Sequence, residues 1–161
     1  MTIDEIIDFM AGLDGVLTLR PTAGTDWPEI SWGDTFFYYS PDGVIPTRTQ
    51  PFATVVTKDY PGEPSSDLHR PNSFRVNIAA GKTAFIEWTG HTPRQQATDV
   101  DYRVTDTVLP HPTYSSAGWL CVVNPGARTE TTTRELLHKA YERARSRYER
   151  HSSSEQTPAQ Q

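Results

Sequence analysis

Two amphipathic helical segments bracket a run of short β-rich segments, and this order restricts the fold more than any other feature of the chain. Residues 2–5 read T-x-x-E, a pattern in which a hydroxyl and a carboxylate satisfy the first free N–H groups of a helix. Ile3, Ile6, Ile7, Met10 and Leu13 follow at helical spacing, which predicts a short helix ending near Gly12 or Gly15. At the other end, residues 132–135 form a second T-x-x-E box. Leu136, Leu137, Ala140, Tyr141, Ala144 and Tyr148 then make a long apolar stripe.

Between them, residues 16–20 (VLTLR), 51–57 (PFATVVT), 74–78 (FRVNI) and 119–123 (WLCVV) read as strands. Residues 29–40 (EISWGDTFFYYS) read as one strand or as two broken at Gly33-Asp34. Residues 58–72 hold three prolines and read as a loop, and residues 90–105 as a polar surface excursion. Residues 81–88 (GKTAFIEW) predict a short helix. The prolines of Pro110-His111-Pro112 argue against regular pairing there. Strands and helices do not alternate regularly. The order therefore predicts an α+β fold: a mainly antiparallel sheet of about five strands, with an N-terminal helix, a short middle helix and a long C-terminal helix packed on it. Residues 1–150 are expected to form a single domain, and residues 151–161, which lack apolar anchors, a disordered tail.

Charge narrows the function classes. The net charge is −5, which counts against a nucleic-acid binder. Residues 1–60 carry nine acids and three bases, whereas residues 129–150 carry six bases and four acids. The basic last helix, with Arg134, Arg143, Arg145 and Arg147, is the one hint of a nucleic-acid or protein interaction module. No apolar run is long enough to span a membrane. The single cysteine and a start without signal-peptide character lead us to expect a cytoplasmic protein.

Candidate chemistry is sparse. Residues 79–83 (AAGKT) resemble the end of a phosphate-binding loop, but Val76 stands where the first glycine belongs. What remains is an anion contact at a helix start, with Lys82 as its cation. His111 is held between two prolines, so its imidazole is a candidate acid or base, with Asp106 or Tyr114 assisting. Cys121 lies in an apolar strand and reads as a small hydrophobe. The histidines lack metal-site spacing, so no metal is expected, and no motif implies a cofactor. By strand alternation Arg75 and Asn77 share one face. That face is solvent-exposed unless the segment at 110–114 covers it. If covered, Arg75, Asn77, Lys58 and His111 share a pocket, walled by Trp32, Asp34, Tyr38 and Trp119. The first functional expectation is therefore binding of a small polar or anionic molecule near His111. A cofactor-independent isomerase or cyclase using His111, and an interaction module, are the alternatives.

Residues 32–39 (WGDTFFYY), 51–62 (PFATVVTKDYPG), 74–82 (FRVNIAAGK), 106–114 (DTVLPHPTY) and 118–126 (GWLCVVNPG) together resemble an uncharacterised actinobacterial family, domain of unknown function 6194. The resemblance covers roughly residues 2–150 and implies kinship without an activity. The stretch from residue 110 to 141 is also similar in layout to the MmcQ/YjbR-like proteins, compact α+β domains suspected of binding DNA or of accessory roles. The acidic front half and the two excursions depart from that layout.

Overall fold

The structure is a computed structural model that describes residues 1–95 and 99–156, the last three of these without their side chains. Six strands form one sheet in the order β1-β2-β3-β4-β6-β5, every neighbouring pair antiparallel. They are β1 (Val16–Leu19), β2 (Thr35–Tyr39), β3 (Ala53–Val56), β4 (Arg75–Ile78), β5 (Val108–Pro110) and β6 (Leu120–Val123). The helices are α1 (Ile3–Ala11), α2 (Lys82–Thr89) and α3 (Glu130–Gln156). The fold is α+β, with the three helices where the sequence places them.

Each element follows from its residues. Thr2 caps α1, its hydroxyl accepting from the Glu5 amide at 3.1 Å, and Gly12 ends the helix. Ile6 and Met10 of α1, Ala84 and Phe85 of α2, and Leu136, Leu137, Ala140 and Tyr141 of α3 join one apolar core. From the sheet that core takes Phe37, Ala53, Val55, Val76, Ile78 and Leu120. All three helices therefore cover one face, and the alternate strand positions turn to the other.

Four local features differ from the sequence reading. Residues Glu29–Ser31 form a 3-10 turn, so the aromatic segment holds one strand and not two. Residues Val108–Pro110 do pair with β6, against the expectation for that proline segment, giving six strands where about five were expected. The strand sits at the sheet edge, where a missing N–H disturbs no inner ladder. The last helix starts at Glu130, ahead of the 132–135 box. Its start is fixed by a residue from far upstream: the Asp106 carboxylate accepts from the amides of Gly126, Arg128 and Thr129. The same helix continues to Gln156, past the point where the sequence reading begins a disordered tail, and residues 157–161 lie outside the described residues. Of the 90–105 excursion, residues 96–98 also lie outside them.

Candidate functional site

The second sheet face is built from polar and small side chains. Cross-strand register sets Thr54 beside Asn77, Asn77 beside Cys121, and Arg75 beside Val56 and Val123. Partners in register share a face, so these side chains stand together opposite the helices. A helix does not cover them; the proline-rich loop does. Leu68 and Tyr60 of that loop pack on Val56 and Val123. The loop is folded on itself by Asp59, whose carboxylate accepts from the Ser66 amide at 2.8 Å and the Leu68 amide at 3.2 Å. That closure sets Ser66 and Glu63 above β4.

Arg75 is consequently only 1% exposed. Its Nε donates to Asn77 Oδ1 at 2.8 Å, Nη1 to Ser66 Oγ at 3.0 Å, and Nη2 to Glu63 Oε1 at 3.3 Å. Asn77 passes the chain on, donating to Thr54 Oγ1 at 3.0 Å. Glu63 Oε2 accepts from Thr113 Oγ1 at 2.6 Å, which ties the loop to the segment after β5. A buried cation is tolerated only when paired and hydrogen-bonded in this way.

His111 lies beside this network and is 2% exposed. Its backbone amide bonds Trp119 O, continuing the β5–β6 pairing. The Nδ1 atom accepts from the amides of Thr113 and Tyr114, at 3.0 and 2.9 Å. Both donors are backbone N–H groups, so Nδ1 carries no proton and the neutral ring carries its proton on Nε2. Burial, and next the Arg75 charge, lower the His111 pKa to about 3. Nε2 has no hydrogen-bond partner among the described residues. Thr133 Oγ1 is the only fully enclosed side-chain polar atom there without a partner. The Nε2 atom of His111 is therefore buried but not wholly enclosed. The rings of Tyr114 and Trp119 stand 5.0 and 6.2 Å from the imidazole. Tyr114 is exposed and Trp119 half-buried.

The other sequence candidates are dispersed. Asp106 is at the far end of β6 from His111: its amide bonds Val123 O, whereas the His111 amide bonds Trp119 O. Burial raises the pKa of Asp106, but hydrogen bonds from Thr129 and the three amides outweigh this and hold it at about 2. Its bonds serve the start of α3 and not the imidazole. Asp34 is buried in a closed network of its own, accepting from the Thr57 amide, Lys58 Nζ and the Tyr60 hydroxyl. Lys58 also donates to Trp32 O at 2.8 Å, and the Trp32 indole to Trp27 O. Burial and then the Asp34 hydrogen bond push the Tyr60 pKa up. Tyr38, raised in pKa by burial, pairs with Leu17 on β1, two strands from β4. Lys82 is exposed in the first turn of α2. Burial pushes the Cys121 thiol up to about 12, so it is unreactive in the folded protein. No cluster of three metal-ligating side chains exists among the described residues.

The sequence reading brought Arg75, Asn77 and His111 together and missed Glu63, Ser66 and Thr113. The available signal was Tyr60 and Leu68, two side chains with apolar bodies in a mostly polar loop, which mark the loop as packed onto something. Among the described residues no helix is long and apolar enough to cross a membrane. No curated protein and no solved structure matches the chain. A family model matches residues 1–153, nearly the whole chain, and this protein belongs to the Family of unknown function (DUF6194).

Proposed function

We propose that the protein binds a small polar or anionic molecule at the mouth of the His111 network, with Tyr114 and Trp119 as flanking rings. One observation carries the reading: a buried imidazole, locked through Nδ1 by two amides, keeps an Nε2–H donor that has no partner among the described residues and is not wholly enclosed. A fixed donor beside a buried guanidinium suits an acceptor oxygen such as that of a carboxylate. The geometry favours binding over acid–base catalysis. Near neutral pH the ring is uncharged, so it is a poor acid, and its Nε2 lone pair is taken by a proton, so it is a poor base. Asp106 and Lys82 fall outside this reading; Arg75 and Asn77 act as its supporting layer, and Asp34, Lys58, Trp32 and Tyr38 as scaffold.

We place the protein in the cytoplasm on the same footing, supported by its single, buried, unpaired Cys121. The helix–antiparallel sheet–helix order supports the proposed likeness in layout to the MmcQ/YjbR-like proteins.

The test is thermal unfolding against a panel of small carboxylates and neutral polar compounds, read together with the ¹⁵N resonance of His111 Nε2. A ligand at about 100 times its Kd adds about 2.7 kcal/mol to stability. A compound that raises Tm, shifts the Nε2 resonance and loses its effect in Tyr114→Ala supports the proposal. Hits that leave the Nε2 resonance unmoved, or no hit across the panel, overturn it.

A further inference from the structure

The basic face of α3 is unevenly neutralised. Arg134 pairs with Glu130 and Arg145 with Glu149, each one turn apart, whereas His138, beside Glu142, makes an ion pair only when its imidazole is protonated. Lys139, Arg143 and Arg147 also follow one another at four-residue spacing, and none has a carboxylate within ion-pair distance among the described residues. Like charges at this spacing repel across each turn. One acid of this helix, Glu142, stands beside this row, so its three cations are only partly offset.

That row lines a groove. Between the start of α2 and α3 lies a depression of about 490 Å³, bordered by the cations Lys139, Arg143, Arg147 and Arg150, the hydroxyls of Thr83 and Ser146, and one carboxylate, Glu142. It is of the size of small-molecule sites.

Arg143 is fixed in this wall. Its Nη1 donates to Ala79 O at 2.7 Å. The guanidinium lies close against Gly81, where a Cβ would fall 2.6 Å from Arg143 Nε. Gly81 has φ 90°, and its amide donates to Gly118 O. A Cβ on Gly118 would in turn come within 3.2 Å of the Gly81 backbone. The glycine of the 79–83 motif therefore serves as a seat for an arginine and not as a phosphate-loop glycine. Loss of hydration, and next the Arg147 charge, lower the Arg143 pKa. The two cations sense one another.

We propose that the groove between α2 and α3 binds a short chain of linked phosphates, with Lys139, Arg143 and Arg147 as its cationic wall and Thr83 and Ser146 as hydroxyl donors. Arg147 lies eight positions after Lys139 along the helix, a rise of about 12 Å. That is a compact footprint. A duplex carries a charge about every 1.7 Å over its whole length and needs a far longer basic surface. The remainder of this chain is acidic, with nine acids against three bases in residues 1–60. A small polyphosphate fits both facts and a nucleic acid fits neither.

The experiment is calorimetric titration of the full chain at low salt with inorganic tripolyphosphate, and in parallel with orthophosphate, ATP, adenosine and a short DNA duplex. Saturable binding of tripolyphosphate, weaker binding of orthophosphate and none of adenosine are expected. ATP that binds more tightly than tripolyphosphate adds a nucleoside to the ligand, and ATP equal to it assigns the phosphates alone; both support the site. Arg147→Gln removes an exposed side chain and is expected to weaken binding about tenfold, and Arg143→Gln/Arg147→Gln to abolish it. Circular dichroism melts check that both variants fold. Tyr114→Ala leaves this binding unchanged, which separates the site from the His111 mouth. No saturable binding at low salt, undiminished binding in Arg147→Gln, or tighter binding of the duplex than of tripolyphosphate overturns the proposal.

Discussion

The two faces of the sheet are made by the same strands and buried by different means. Beneath the helices, Val76 and Ile78 of β4 join the core of α1, α2 and α3 through apolar contact. One residue along, Arg75 and Asn77 are equally buried, but each polar atom there needs a named partner. The first face tolerates exchange of one apolar side chain for another of similar volume. The second is a connected set in which removal of one member strands its neighbours. A ligand-recognising layer gains from the second arrangement, because rigid, pre-oriented donors need little reordering on binding.

Several measurements break or sharpen this contrast. The largest effect is expected from Arg75→Ala, which leaves Glu63 buried without its cation and is set to cost about 3–5 kcal/mol in urea unfolding. Leu137→Ala, on the apolar face, is expected to cost a comparable amount, about 2–5 kcal/mol. The faces should part in the second step. Replacing both members as Arg75→Met/Glu63→Leu is expected to recover most of the loss, since a buried ion pair is often exchangeable for apolar groups. Leu137→Ala leaves a void that removing a neighbour only enlarges. If the double replacement is no more stable than Arg75→Ala, the two faces do not differ in the way described.

Acid should strike the polar face first. The folded His111 has a pKa near 3, below its usual 6.5. Its contribution is complete above pH 6.5 and is lost as pH falls toward 3, because the unfolded chain takes up a proton that the folded imidazole refuses. Urea midpoints measured between pH 7 and pH 4 should fall by a few kcal/mol equivalent, and the slope should flatten in His111→Leu. A smaller change is expected at Asp106. Asp106→Asn is set to cost about 1 kcal/mol at pH 7, the range of a lost helix cap. Its folded pKa is depressed to about 2, so this advantage is present above pH 4 and fades as pH drops to 2. The smallest effect is at Cys121: thiol reagents should leave it unmodified in the folded protein and label it at the rate of unfolding, measured by mass spectrometry.

Much of the fold was legible because it rests on short-range rules. The capping box at the start of α1, the stripe of α3 and the β-branched segments each depend on residues within a few positions. The failures have a common cause in distant partners. The start of α3 was misplaced because its cap is Asp106, more than twenty residues upstream. The strand at Val108–Pro110 was missed because only its place at the sheet edge makes Pro110 harmless. In the candidate site, alternation alone put Arg75 and Asn77 on one side, and the two prolines marked His111.

Alone, then, the sequence determined the periodicities: which residues share a helix stripe or a strand face, and that the chain makes an α+β fold. Only the tertiary structure decided that the polar face is inside. That outcome depends on where the loop of Asp59, Glu63 and Ser66 comes to rest, and on its closure by hydrogen bonds to one carboxylate. Likewise, only assembly set Gly81 beneath Arg143 and brought the start of α2 against the row of Lys139, Arg143 and Arg147. Periodicity is a local property of the backbone. Burial of polar groups is a property of the surfaces that meet over it, and these come from segments far apart in the chain.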